Sequence, residues 1–450
     1  MRAQLAYGSG HVDVQVPEGR TWVVAPRYPP AAPDGQEEVR RALRNPVAGP
    51  PLREIVRPGM TVAVSVCDIT RPQPRREMLP ALIEELSGTV RLDDIAVLVA
   101  TGTHRANSPA ELAEMLGPEV VGSVRVLNHD CTDASSLRWV GRLGADVPVW
   151  LADQWLSADL RITTGFVEPH FFAGFSGGPK MVAPGLAGLD TVLVLHDATR
   201  IGNPRATWGV RHGNPVHDDV RAIAAATGVH FACDVVLDSS KRIVAAFAGE
   251  LEAMHDAACS LSRAVAMQAV DRRFDVVVTS NSGYPLDQNL YQSVKGMSAA
   301  AQVAAPGGRI ICATECRDGF PEHGSYRRLI TGPWGPEELL ARFASSGETE
   351  PDQWSVQVQA RIQSALRVAV HTSFLSAADL AQAHLDAATD LQATLDAALD
   401  EAGPQSTLCV LPDGPQTIPY VSPSTSPSAG PSTSPSAGPS TSPSAGEEEL

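Results

Sequence analysis

Five stretches of this 450-residue chain carry side chains able to do chemistry. CDITRP holds Asp68, Thr70 and Arg71, and TGTHR holds His104 and Arg105. EPHFFAGFSGGPKMVAPGLAG, from Glu168 to Gly188, sets His170 ten residues before Lys180 with Gly177-Gly178 between them. NSGYPLDQNLYQSVKG holds Gln292 and Lys295, and His196 closes the apolar run TVLVLHD. Histidines titrate near neutrality and suit acid/base work. Arg71 and Lys295 suit a carboxylate or phosphate partner. Lys180 could be a covalent nucleophile. The set points to an anionic small substrate or cofactor; residue chemistry alone names neither a metal nor a reaction.

Each residue also has a plainer role. A strand-end aspartate such as Asp68 often caps a helix. His104, in a Gly-Thr turn, could simply hydrogen-bond backbone, and His196 could sit at a core edge. The glycines of GFSGGPK suit close backbone approach to a phosphate, but the P-loop pattern GxxxxGK[ST] is missing. Lys295 falls within a predicted helix, where a lysine is usually a solvated charge. These plainer roles would all have to hold at loops that converge.

Convergence is what the surrounding elements predict. TVAVSV (61–66), DIAVLVA (94–100), VRVLN (124–128) and DLRITT (159–164) read as strands, alternating with helices around REMLPALIEEL and SPAELAEML. The second helix opens with Ser108 three residues before Glu111, the spacing of a capping box. HFACDVVLDSSKRIVAAFAG reads as a hairpin leading into a helix from about 250 to 270. A second unit begins with the strand FDVVVTS, the helix DQNLYQSVKGMSAAAQVA and the strand GRIICAT, one right-handed βαβ crossover. Helices follow at EELLARFA and about 375–402, and the strand STLCVLP closes the unit. The expected class is α/β, with two domains of mainly parallel sheet around an interdomain cleft. Residues 1–270 would form the first domain, 271–421 the second, and 422–450 a disordered tail. That tail repeats PSTSPSAG three times and has no apolar face to bury. The polar sets fall just past strand ends, where open α/β sheets bind ligands.

Composition narrows the partners. A net charge of −16 argues against nucleic acid. No window reaches the ~18 apolar residues of a membrane helix, and the first residues lack a signal-peptide core. Seven scattered cysteines do not form a disulfide framework. Cys312 and Cys316 lie four apart, but no second pair at zinc spacing accompanies them. A reduced, cytoplasmic protein is expected, with neither membrane nor nucleic acid as partner.

Taken together, DITRP, TGTHR, PHFFAGFSGGPK with its histidine sixteen residues past the lysine, and NSGYPLDQNLYQSVKG resemble the nickel-pincer-nucleotide lactate racemase family over about residues 1–420. The resemblance implies two α/β domains around a cleft and a pyridinium mononucleotide whose two sulfur groups and one ring carbon hold nickel. It implies that Lys180 can join this cofactor through a thioamide and that His196 completes the nickel coordination. It further implies His104 and His170 as acid/bases on opposite sides of the substrate. Asp68, Ile69, Thr70 and Arg71 match the segment contacting cofactor and substrate, while Gln292 and Lys295 match substrate-side residues. Tyr291 and Trp354 would line the pocket. The glycine pair would let backbone pass close to the flat nucleotide, Phe172 would crowd the substrate, and Pro179 stands where this family often has arginine. The implied reaction is racemisation of a 2-hydroxy acid, lactate foremost, with the cofactor-making machinery as partner. Another 2-hydroxy acid, or ligand binding without catalysis, are the competing readings.

Overall fold

The computed structural model of the protein describes residues 1–321 and 324–422. The PSTSPSAG repeats lie outside the described residues. Two six-stranded sheets organise the chain. The first runs, edge to edge, Ile243–Gly249, Phe231–Leu237, Leu160–Phe166, Val62–Cys67, Ile95–Ala100 and Arg125–Asn128. Its neighbours are parallel except at the Ile243–Gly249 edge, which returns through the expected hairpin. Val62–Cys67 is buried at every position, as a strand covered on both faces must be. Side-chain alternation divides it between two cores. Val62, Val64 and Val66 join Val39, Leu43, Leu79 and Leu82 from the helices Gly35–Arg44 and Arg75–Leu86, while Ala63 faces Leu186, Ile223 and Met254. The predicted Ser108–Glu111 capping box is present at the start of Pro109–Leu116.

The second sheet runs Asp386–Ala387, Arg367–His371, Ala304–Ala313, Phe274–Ser280, Leu408–Leu411 and Thr21–Val23, every pair parallel. Three expectations are corrected here. The first 23 residues, expected in the N-terminal domain, build onto this second sheet instead. Thr21–Val23 pairs with Leu408–Leu411, and the hairpin Arg2–Tyr7/Gly10–Gln15 packs Leu5 and Val14 against Val276, Val278 and Leu395. The helix expected to reach 270 ends at Ala266, because Met267–Val270 turns extended and pairs with Ile418–Val421. The helical stretch over 375–402 divides into Ala377–Gln382 and Leu391–Ala402, with the edge strand Asp386–Ala387 between.

All seven cysteines are free and buried, Cys312 and Cys316 among apolar side chains of the second domain. No helix among the described residues is long and apolar enough to cross a membrane.

Each sheet has one point where the strand order reverses. In the first it lies between Val62–Cys67 and Leu160–Phe166; in the second it lies between Phe274–Ser280 and Leu408–Leu411. Loops from the carboxyl ends at both points line one cleft, which is where sheets of this kind bind ligands.

Candidate active site

The cleft encloses about 530 Å³, a volume suited to a cofactor or small substrate. Val62–Cys67 and Ile95–Ala100 pair in register to their last residues, Cys67 opposite Ala100. That register brings the residues just beyond them together. Asp68 Oδ2 lies 2.5 Å from His104 Nδ1, and Asp68 Oδ1 accepts from the Thr70 backbone N–H at 2.9 Å and from its hydroxyl at 2.5 Å. Burial pushes the Asp68 carboxyl up, but His104, Arg71 and Thr70 together outweigh it and hold the group below the usual carboxylate range. Asp68 is therefore ionised, and the imidazole proton nearest it sits on Nδ1. His104 Nε2 is left as the acceptor.

The loop carrying these residues is held from behind. Buried Arg75 donates to the carbonyls of Asp68 and Arg71, each at 3.1 Å, and Gln73 accepts from Cys67 N at 2.7 Å. Ile69 N–H donates to Asn107 Oδ1, and its side chain packs against the first-domain core. Ile69 is thus the one residue of the segment whose side chain does not line the cleft.

His170 and Lys180 frame the glycine loop. Ala173 N–H donates to His170 Nδ1 at 3.2 Å, so in the neutral ring the proton is on Nε2. Burial, then the charges of Lys180, Lys295 and Arg71, hold His170 well below the ordinary imidazole value. Gly177 and Gly178 have φ of +70° and +51°. A Cβ on Gly177 would stand 2.5 Å from Asp234 Oδ2, and one on Gly178 would stand 2.6 Å from the His255 ring. Their need for glycine therefore comes from the protein wall behind the loop. Gly178 N–H also donates to Asp234 Oδ2 at 2.6 Å.

Burial, then Arg71 and Lys295, lower the Lys180 amine to about 7. Lys295, half-buried rather than solvated, is lowered to about 7 by burial and then Arg71. Among the described residues, Arg71, Lys180 and Lys295 have no ion-pair partner. Three such cations gathered inside a chain of net charge −16 suit an anion. The chain's three lysines, Lys180, Lys241 and Lys295, all line this cleft.

His196 caps the helix Leu189–Leu195 and donates from Nδ1 to Val192 O at 2.8 Å, leaving Nε2 as a lone-pair donor. Burial lowers it to about 4, so it stays neutral at working pH. Its ring lies 4.6 Å from Trp354 and 5.3 Å from Phe172, whose edge also meets His170 at 4.5 Å. Phe172 thus stands between the two histidines. Trp354 Nε1–H donates to Tyr291 OH at 3.0 Å, joining residues 63 apart in sequence. Gln292 Oε1 is buried without a partner.

Asp68, Thr70, Arg71, His104, His170, Lys180, His196, Tyr291, Gln292, Lys295 and Trp354 therefore share one cavity. Sequence reading missed the walls that complete it: the turn Gly8–His11, Lys241 at a hairpin tip, and Ser282–Leu286. Gly8 N–H donates to Asp287 Oδ2 and Gly8 O accepts from Tyr284 N–H, so the N-terminal turn is fixed to the second domain. The GYP of NSGYPLDQ and the glycines flanking Ser9 were the available signals.

Comparison with known proteins agrees across the chain. Residues 7–209 match the lactate racemase N-terminal domain and residues 270–418 the lactate racemase C-terminal domain. The lactate racemase of Thermoanaerobacterium thermosaccharolyticum is 36% identical over 385 residues, 85% of this chain and 90% of that protein. That of Lactiplantibacillus plantarum is 35% identical over 382 residues, 84% and 89% respectively. The solved lactate racemase apoprotein from T. thermosaccharolyticum superposes with a TM-score of 0.88 at 32% identity, covering 93% of this chain and all of that one. A Thermotoga maritima protein, at 20% identity and a TM-score of 0.66, covers 86% of this chain and 98% of its own and shares the fold.

Proposed function

This chain belongs to the lactate racemase family, and from that premise we propose that it is an isomerase inverting the C2 centre of a small 2-hydroxy acid, lactate first, with a nickel-pincer nucleotide in the cleft. The observation that carries the reading is the placement of His104 and His170. They come from different strand ends into one cleft with three cations that form no salt bridge among the described residues. Inversion needs a proton-transfer group on each side of the reacting carbon, which accounts for two histidines rather than one.

The residues fit the cofactor. His196 Nδ1 is committed to a carbonyl, the arrangement that fixes a metal-ligating imidazole and frees Nε2. Among the described residues no group of three or more His, Cys, Asp or Glu side chains could hold a metal ion. A nickel at His196 would therefore take its other donors from the nucleotide. Lys180, with its amine lowered to about 7, carries a substantial neutral fraction near neutrality and can act as a nucleophile for tethering. When bound, the cofactor would supply hydride-acceptor chemistry for the substrate's α-hydrogen.

The chain's own side chains do the rest. Arg71 and Lys295 would hold the substrate carboxylate. His104 Nε2, with Asp68 behind the ring, would take the hydroxyl proton, and Asp68 would stabilise the resulting imidazolium. The planar 2-keto acid would turn within the same carboxylate clamp. His170, its Nε2–H facing the cleft, would then donate its proton to the oxygen on the other side. For the opposite enantiomer the same steps run in reverse, starting with His104 protonated and His170 deprotonated at Nε2. Phe172, edge-on to His170 and His196, narrows the space at the reacting carbon and favours a small acid. Closure between the two sheets would retain the keto acid.

The test is purification together with the cofactor-making machinery, nickel analysis, and racemisation assays over a panel of 2-hydroxy acids. His104→Ala and His170→Ala should each lose at least about 10²-fold in both directions. Near-wild-type racemisation by either variant, with the cofactor verified as loaded, would return that histidine to a structural role.

A further inference from the structure

Behind His170 lies a set of buried polar groups that the proposed chemistry leaves unused. The helix Pro215–Thr227 begins there, capped by Asn214, whose Oδ1 accepts from Val216 N–H at 3.1 Å. Asn214 is fully buried, and its Nδ2 donates to Phe172 O and to Val210 O, each at 2.9 Å. One turn on, His217 is also fully buried and donates from Nδ1 to Ala173 O at 3.0 Å. Two consecutive carbonyls of the glycine loop are thus gripped from one helix start.

The first of these carbonyls matters for catalysis. Phe172 C=O and Ala173 N–H belong to the same planar peptide unit, and that N–H is the donor to His170 Nδ1. The chain of bonds runs from the Asn214 amide, through the Phe172–Ala173 peptide, to the His170 ring. Hydrogen bonds in such a row polarise one another in a low-dielectric interior. His217 fixes the following peptide and so prevents Ala173 from rotating away. Burial, then the adjacent His255, push His217 down to about 2, so it remains a neutral donor at any working pH.

We propose that Asn214 and His217 are positioning residues for His170: they clamp the peptides on either side of Ala173, hold the Ala173 N–H on His170 Nδ1, and so keep the ring proton on Nε2, the nitrogen left for the cleft. This rests on the reading of His170 as an acid/base group. Its consequence is that the two histidines start in opposite tautomers. His104 has its proton on Nδ1 against Asp68, and His170 has its proton on Nε2.

The test uses ¹⁵N-histidine-labelled full-length protein and long-range ¹⁵N–¹H spectra, with the His170 signals identified by their loss in His170→Ala. The wild type should show His170 Nδ1 unprotonated and Nε2 protonated. Asn214→Ser keeps a good helix cap but cannot reach Phe172 O; His217→Leu removes the second donor, and His217→Asn restores a donor near the Nδ1 position. Asn214→Ser and His217→Leu should give mixed tautomers at His170. Each should lower kcat about 10-fold with KM within about threefold, since loss of orientation costs rate more than binding. His217→Asn should recover both readouts.

Wild-type His170 spectra in folded Asn214→Ser or His217→Leu would overturn the proposal. So would a fall in kcat with the tautomer unchanged, or failure of His217→Asn to recover. If His217→Leu does not fold, Asn214→Ser and His217→Asn decide by the same criteria. A wild type inactive on every 2-hydroxy acid would instead remove the racemase reading, while the spectra would still decide the clamp.

Discussion

Asp68→Asn is the sharpest test of the proposed acid/base chemistry, because it changes one charge and almost no volume. In the wild type the carboxylate divides its oxygens between His104 and Thr70. The amide can keep an oxygen for Thr70 but must turn its NH₂ toward His104. Nδ1 then has to accept, the ring proton moves to Nε2, and the lone pair that would take the substrate proton is lost from the cleft. There is also an electrostatic cost, since the imidazolium formed during turnover loses its counter-charge. Unit charges about 4 Å apart at an effective dielectric of about 20 interact by about 4 kcal/mol, equivalent to about three powers of ten in rate. His104 is 32% exposed, and solvent screening trims this. We therefore expect a loss of about 10²–10³ in kcat, inside the range typical of acid/base groups. The assay follows optical activity from either enantiomer, with nickel content measured on the same sample. Stability supplies a second readout with a defined sign. A carboxyl held below its ordinary value stabilises the fold above that value and loses the effect as pH falls. The variant should thus melt below wild type at pH 7 and converge with it in acid. Racemisation within about threefold of wild type, with nickel loaded, would refute the dyad as a catalytic unit.

Three further outcomes are expected. The two lysine amines lowered to about 7 from an ordinary 10.5 give an unfolded chain that binds more protons between those values, so apoprotein stability should rise with pH across that window. Lys180→Met should accordingly raise the apoprotein Tm at pH 7 and flatten the rise toward pH 10; an unaltered Tm–pH curve would contradict the lowered amine. His196→Ala should reduce nickel content and activity together while circular dichroism stays unchanged, and full nickel in that variant would make His196 a packing residue. Gly178→Ala should cost about 2–4 kcal/mol, from a left-handed backbone and a Cβ driven into His255, and a denaturation midpoint matching wild type would show that the wall behind the loop gives way.

Much of the first sheet was legible because its strands are short β-branched runs bounded by polar turns, and alternation along TVAVSV suffices to place both faces. Asp68, Thr70, Arg71 and His104 were legible for a related reason, since they sit just past such strands, whereas His196, Lys295 and Trp354 come from helices. What could not be read was who meets whom. Asp68 and His104 are 36 residues apart, and their contact depends on the Cys67–Ala100 register, which no local pattern encodes. The three residues of Thr21–Val23 are too few to announce a strand, and their partner lies nearly four hundred residues away at Leu408–Leu411. Asn214 and His217 carry no local signal of their role. Only the folded chain brings the glycine loop under them. The glycine pair was read as letting backbone approach a phosphate or flat nucleotide, whereas the folded chain needs glycine there for a left-handed backbone packed against Asp234 and His255.

Lysine chemistry on this protein is chemistry on its cleft. With every lysine in one cavity, the usual surface handles for acylating dyes, isothiocyanates or ester-activated supports are absent, and arginine takes over the solvated positive charge. A labelling protocol chosen as innocuous would strike Lys180 and Lys295 at the pH where their neutral amines prevail, and immobilisation through lysine would block the cavity it was meant to present. The same scarcity is useful. A single acylation event can be assigned among three lysines and the Met1 amine without competition from a background of surface lysines, so occupancy of the cleft can be followed by how far it protects the lysines.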